Sequence, residues 1–480
     1  MLIPDGTGTD QVCSRVTMNK LPDEVLLDIF GFCMTCSLPP PAYKDDAWHT
    51  LVHVCRRWRY VVFGSPRRLN LRLLCINRRR VKTLDIWPEL PIIILVDNRA
   101  LLSIANVVPV LKRNDRVCKI VLDNVPGPLF ARLAKKMAEP FPALIELELT
   151  SFNVDSPMLP DSFLGGSVPS LRSLLLWGIS FPGLGRLLSS TRDLVTLSLN
   201  FFPPSEYISP EAMVAILSKL ARLASLHLNF ETPRFWTRGA SREPPALTRV
   251  VLPALTTFSF CGYGAYLDDI VSRIDAPLEC IAVTFSDQLV VSDIPMLRDF
   301  ISRTKIPNAP HQADIYFSTI YATISLFQRK GDVDFKVLYL EFPFSTDTLA
   351  GLSSLAQACN SLLPPLPSLD QLCIHNSDLE IQLQYATKNK NAQWIELLRP
   401  FITVKDLALG EPVVLSVTSA LQGLVGRGVT EVLPVLQNIS IEGLQSSCPV
   451  PKGIAKFISA RELSGRPVVV QHRETKQLRC

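Results

Sequence analysis

The chain has 480 residues, 47% of them hydrophobic and 19% charged, with a formal net charge of +5. That length is too great for one compact core, so two or more units are expected. No run approaches the roughly 18 consecutive apolar residues that would cross a bilayer, and the twelve cysteines are scattered rather than grouped as in a small disulfide-built domain.

Residues 1–19 contain Asp5, Gly6, Gly8 and Asp10 and lack an apolar centre. They read as a disordered lead and not as a signal peptide, which places the chain inside the cell, in cytoplasm or nucleus. A first helix then opens. Pro22 suits its first position, and Asp23 and Glu24 put negative charge where the helix dipole favours it. Val25, Leu26, Ile29, Phe30 and Cys33 form one apolar stripe along it. Pro39, Pro40 and Pro41 enforce a loop. A second helix is expected over residues 46–63, with Leu51, Val54, Cys55, Trp58, Val61 and Val62 at helical spacing and His49, His53, Arg56 and Tyr60 on its other face. About 45 residues are too few to bury both stripes, so this hairpin needs a partner surface.

Two chemical patterns overlap the hairpin. Cys33 and Cys36, followed by His49 and His53, have the spacing of a two-cysteine, two-histidine zinc site. The supporting residues are absent: Pro40 and Asp46 stand where such a finger places an aromatic and a leucine, and no metal is expected. From Arg56 to Lys82 the chain carries ten basic residues and no acid. Arg56, Arg57, Arg59, Arg67, Arg68, Arg72, Arg78, Arg79, Arg80 and Lys82 read as a solvated surface or a patch for an acidic protein face, because no aromatic interleaving supports nucleic acid.

The hairpin residues carry a resemblance. The run Leu21-Pro22-Asp23-Glu24-Val25-Leu26-Leu27-Asp28-Ile29-Phe30 looks like the opening of the F-box, and Leu51-Val52-His53-Val54-Cys55-Arg56-Arg57-Trp58-Arg59 looks like its second half. The proline-rich loop between them is longer than the family pattern. The resemblance implies a docking module, residues 20–66, for the Skp-type adaptor of an SCF (Skp, cullin, F-box) ubiquitin ligase. It also implies adaptor contacts at Leu21, Pro22, Leu26, Ile29, Phe30, Leu51, Val54, Cys55 and Trp58.

Beyond the hairpin one motif recurs: an apolar residue, two others, an apolar residue, one other, an apolar residue. It opens at Val117, Leu144, Leu171, Leu194, Leu223, Leu255, Leu278, Phe335, Leu369, Val404 and Leu436. Successive motifs start about 23 to 35 residues apart, the period of a solenoid. Ala313 to Phe317 fills the one long gap, and Leu69 to Leu73 and Ile92 to Val96 read as degenerate units ahead of the ladder. The end of each motif alternates and suits a short strand. Stretches between them suit helices, as in 211–220, where Met213, Val214, Leu217 and Leu220 share a face. Prolines 142, 169, 253 and 367 sit where each unit turns back into a strand.

The expected fold is therefore α/β: a short helical hairpin, then over residues 67–470 an irregular parallel sheet with outer helices. It resembles the leucine-rich repeat superfamily, and the combination is similar to the large fungal class of F-box proteins with such repeats. Residues 453–463 read as a helix and 467–470 as a closing strand, trailed by a charged tail at 471–480.

Chemistry of catalysis is missing. No nucleophile elbow, phosphate loop or dinucleotide fingerprint occurs, and Gly423, Gly426 and Gly428 read as a loop between helix and strand. The sequon Asn438-Ile439-Ser440 has no use in a chain that is not secreted. Cys118, Cys261, Cys280 and Cys373 read as small buried hydrophobes. The sequence thus points to a non-enzymatic receptor without cofactor: the hairpin docks to the adaptor and through it a cullin, and the array selects a target protein. Glu146, Arg172, Thr196, His227 and His375, flanking the strands, are the expected target contacts. The other readings are a repeat scaffold with no ligase and a zinc-dependent nucleic-acid binder.

Overall fold

One four-residue turn precedes strand after strand. The amides of Leu144, Leu171, Leu255, Leu369 and Leu436 donate to the carbonyls of Phe141, Val168, Leu252, Leu366 and Leu433 at 3.1 to 3.3 Å. Proline follows the accepting residue in each case, where its fixed φ suits the second position of a type I turn. The fourth residue of each turn is 2% exposed or less. The prolines expected where each unit turns back into a strand thus sit in turns that aim a leucine inward.

The computed structural model describes residues 20–35, 47–75, 84, 86–97, 104–152, 157–202, 208–230, 249–286, 294–304, 306, 310–318, 320–343, 348–376, 388–426, 428–442 and 452–473. The lead at 1–19, the triple proline, Cys36, Arg78 to Arg80, Lys82 and residues 474–480 lie outside them. The chain forms two compact units, Met1–Val121 and Leu122–Cys480.

The first unit holds helices α1 (Asp23–Thr35), α2 (Ala47–Val52) and α3 (Arg56–Gly64), then β1 (Leu73–Cys75), β2 (Ile92–Asp97), a helix Ile104–Leu111 and the start of β3 (Val117–Asp123). These strands lie in sequence order, with β1 parallel to β2 and Leu73 opposite Ile92.

In the second unit, helices alternate with strands as the motif spacing requires. The strands are β4 (Glu146–Thr150), β5 (Ser173–Trp177), β6 (Thr196–Phe202), β7 (Ser225–Phe230), β8 (Val250–Val251), β9 (Thr257–Gly262), β10 (Ile274–Asp275), β11 (Cys280–Phe285), β12 (Gln312–Phe317), β13 (Tyr321–Lys330), β14 (Val333–Pro343), β15 (Gln371–Asn376), β16 (Asp406–Gly410), β17 (Asn438–Glu442) and β18 (Val469–Arg473). The last runs past the expected Val470 to Arg473. In space the sheet is ordered β4-β5-β6-β7-β9-β11-β14-β13-β12-β15-β16-β17-β18, and β8 pairs with β10 apart from it.

One apolar row runs from strand to strand. Leu147 faces Leu174, which faces Leu197, then Leu226, Phe258 and Ile281; all are 1% exposed or less. Beyond the insertion described next, Leu372, Leu407 and Ile439 continue the row. Each side chain is enclosed by its neighbours in the row and by the helices behind, so no unit completes its core alone. This is the α/β sheet with helices that the motif spacing implies.

One element departs from expectation. The chain leaves β11, crosses two strand positions to lay down β12 next to β15, and returns through β13 and β14 to fill the gap. Strand β13 is antiparallel to both neighbours, so the sheet is mostly, not wholly, parallel. Gly331, at φ +63°, lies in the tight connection between Lys330 and Val333; a two-residue hairpin needs such a left-handed residue. The buried Ala322, Ile324 and Leu326 bring β13 into the same core.

Helix ends are fastened by side chains. The Asp268 carboxylate accepts from the amides of Met296 at 2.8 Å and Leu297 at 3.2 Å, capping the helix Pro295–Arg303. Arg461, fully buried, donates to the carbonyls of Leu436 at 3.1 Å and of Pro434 and Val429 at 3.4 Å. Cys118 and Cys373 are buried as expected, whereas Cys261 and Cys280 are half-buried.

Candidate functional site

Helix α1 presents two apolar stripes rather than one. Leu26 and Phe30 are fully buried. Val25, Ile29, Phe32 and Cys33 recur at helical spacing on another side, with Val25 41% and Phe32 69% exposed and Cys33 also exposed. The single stripe read from the sequence merges these two. Pro22 lies exposed at the head of the helix with Leu21 half-buried beside it, and the Pro22 carbonyl accepts from the Leu26 amide at 3.1 Å.

The expected second helix is two helices. Cys55, at φ −156° and ψ 170°, is extended, and its sulfur accepts from the Trp58 amide at 3.4 Å as the N-cap of α3. The break at Cys55 leaves Val54 60% exposed, while Val61 and Val62 remain core residues. Leu51, Cys55 and Trp58 are half-buried. Of the nine expected adaptor contacts, Leu26 and Phe30 thus belong to the core of the helical unit, Pro22 and Val54 are open, and the others are partly open. Exposed Val25, Phe32 and Tyr60 were not among them; the four-residue spacing from Val25 to Ile29 is the signal that marks the outer stripe.

Among the described residues of the basic run, Arg57, Arg59 and Arg68 make contacts within the helical unit. The Arg57 guanidinium donates to the Leu21 carbonyl at 2.5 Å and to the Asp23 carboxylate at 2.6 Å. Arg59 donates to the Val52 carbonyl at 3.0 Å, closing the end of α2, and Arg68 pairs with Asp28 at 2.5 Å. Trp58 packs on Phe30 with ring centroids 4.7 Å apart. Arg56 and Arg67 are exposed.

The histidines of the zinc-like spacing sit in an aromatic cluster. His49 stacks on Trp48 at 3.8 Å and meets Trp87 edge-on at 5.0 Å, and His53 lies 6.2 Å from Trp87. The Trp48 indole donates to the Arg72 carbonyl at 2.9 Å. Burial, and secondarily the charge of His53, lower the His49 pKa. Among the described residues no three metal-ligating side chains gather at one point.

In the second unit Glu146, Thr196, His227 and His375 alternate with the buried leucines and so fall on the opposite sheet side, but the five expected target contacts do not gather in one place. Glu146 faces Ser173, which faces Thr196 and then Ser225. Arg172 precedes β5 and is exposed; its carbonyl accepts from the amides of Val195 and Thr196. The His227 ring lies 2.8 Å from the Ser225 hydroxyl, and burial lowers its pKa. His375, on β15, stands six strands further along the sheet than His227 on β7 and approaches Glu442 at 3.8 Å.

Around His375 the inserted strands add a group that the sequence did not suggest. Asp314 accepts from Gln312 at 2.7 Å, and burial raises its pKa. The Tyr339 hydroxyl donates to Glu341, Lys336 lies 4.6 Å above the Tyr339 ring, and Tyr316 stacks with Tyr321 at 6.0 Å. Burial holds the Cys373 thiol well above its ordinary value, so it offers no thiolate nucleophile at neutral pH.

Residues 18–69 match the family model described as F-box-like, which covers α1, α2 and α3. No curated protein matches the chain. No helix among the described residues is long and apolar enough to cross a membrane.

Proposed function

We propose that this chain is the substrate-recognition subunit of an SCF-type ubiquitin ligase. The carrying observation is that the segment matching the F-box-like model leaves Val25 and Phe32 of α1, and Val54 just before α3, open to solvent. Apolar side chains left out by so small a helical unit suit burial against a partner.

In this reading residues 20–66 dock to a Skp-type adaptor and through it to a cullin. Leu21, Pro22, Ile29, Leu51, Val54, Cys55 and Trp58 make the contacts, joined by Val25, Phe32 and Tyr60, while Leu26 and Phe30 support them from within. Residues 67–470 act as a leucine-rich-repeat array like that of the fungal F-box class. Its polar strand side selects an intracellular target protein through residues such as Glu146, Arg172, Thr196, His227 and His375. The chain catalyses nothing itself; it brings a target to the ligase.

Co-expression of the full chain with a Skp-type adaptor and its cullin tests this. A three-component complex should purify together, and Pro22→Asp should abolish it while the thermal transition of the chain stays in place. A well-folded chain that brings down neither protein removes the ligase reading.

A further inference from the structure

The run Cys55-Arg56-Arg57-Trp58-Arg59 touches every part of the helical unit. Cys55 caps α3, Trp58 packs on Phe30 of α1, and Arg59 closes α2 at Val52. Arg57 reaches furthest. A single nitrogen, Nη2, donates to both the Leu21 carbonyl and the Asp23 carboxylate, the two residues that bracket exposed Pro22. Those acceptors lie on either side of the bend where the chain turns into α1. Asp23 opens the helix, so its carboxylate already sits in the positive field of the helix N-terminus.

We infer that Arg57 is a positioning residue for adaptor docking: it holds the Leu21–Pro22 corner in its binding geometry before the partner arrives. This rests on the docking reading above and deepens it. A short segment leading into a helix is otherwise free to rotate, and an interface that must order it on contact forfeits the entropy of that ordering. A charge-assisted bond to a carbonyl together with an ion pair is a small contribution to global stability where both partners are half-exposed, yet it removes backbone freedom at the docking corner. The clamp therefore acts on affinity far more than on folding.

The test uses the full chain and a purified Skp-type adaptor, with binding followed by biolayer interferometry. Arg57→Ala should weaken binding about fivefold to tenfold, the equivalent of losing one exposed charge-assisted bond and its ordering. Arg57→Lys should recover part of the loss, and the exchange pair Asp23→Arg with Arg57→Asp more than either single change. The melting temperature of Arg57→Ala should move no further than that of Arg222→Ala, which removes an exposed ion pair with Asp193 in the second unit. Hydrogen exchange at the amides of residues 23–25 should accelerate in Arg57→Ala alone. Unchanged affinity in Arg57→Ala, or a loss that follows a fall in melting temperature, overturns the inference while the docking reading stands. Failure of the wild-type chain to bind removes both.

Discussion

The rings of Phe30 and Trp58 meet at 4.7 Å with planes tilted by 56°, and this contact fastens the first helix of the chain to the third. Phe30 is fully enclosed. Its replacement by alanine removes a buried ring and leaves a cavity, at a cost of about 3–5 kcal/mol. Urea denaturation followed by tryptophan fluorescence should show that loss in the first unit. A change below about 1 kcal/mol would mean that Phe30 does not pack the helices together.

The strand register makes a paired prediction. Leu197 is fully buried between Leu174 and Leu226, whereas its neighbour Thr196 points to the opposite side of the sheet. Leu197→Ala should cost about 2–5 kcal/mol and Thr196→Ala no more than about 0.5 kcal/mol in equilibrium unfolding. Equal costs would contradict the assignment of sides.

His49 gives a pH dependence of known sign. Burial, then the charge of His53, lower its pKa in the folded chain, so the unfolded chain binds the proton more readily. His49 therefore costs no stability above the unfolded value of about 6.5. Stability is lost as pH falls below that value toward the lowered folded one. Unfolding free energy measured at a series of pH values should fall less steeply on acidification in His49→Gln than in the wild type. Identical slopes would show that burial does not lower the His49 pKa in the folded chain.

Thiol chemistry reports the core. Cys33 is exposed, while Cys75 and Cys359 are buried; burial pushes the Cys75 thiol up to about 12 and Cys359 well above the usual range. Alkylation of the native chain at neutral pH, read peptide by peptide by mass spectrometry, should label Cys33 well before Cys75 and Cys359, which should wait until the chain is unfolded. Early labelling of Cys359 would place the helix Thr348–Leu362 outside the core.

How much of this is legible in the residues follows from periodicity. A motif whose apolar positions alternate fixes both the strand and the side it buries, so the pattern alone places Leu147, Leu174, Leu197 and Leu226 in one buried row. It does not place the reversed order of β12, β13 and β14, because the alternation of Ala322, Ile324 and Leu326 says nothing about direction. Gly331-Asp332, a two-residue hairpin signal, is the clue to that reversal. In the helical unit, spacing alone runs α2 and α3 together, since the offsets from Leu51 to Val62 fit one helix; only the capping role of Cys55 separates them. The pairing of two residues of the basic run is invisible in the local sequence because their acids, Asp23 for Arg57 and Asp28 for Arg68, lie more than 30 residues earlier.

The most direct test of the account is the affinity of the full chain for a Skp-type adaptor when its outward apolar side chains are charged one at a time. Phe32→Asp and Val54→Asp should each weaken binding about tenfold or more. Leu463→Asp, at a still more open apolar position in the second unit, should leave it unchanged. A well-folded wild-type chain that does not bind, or binding untouched by either charge, would contradict the docking role.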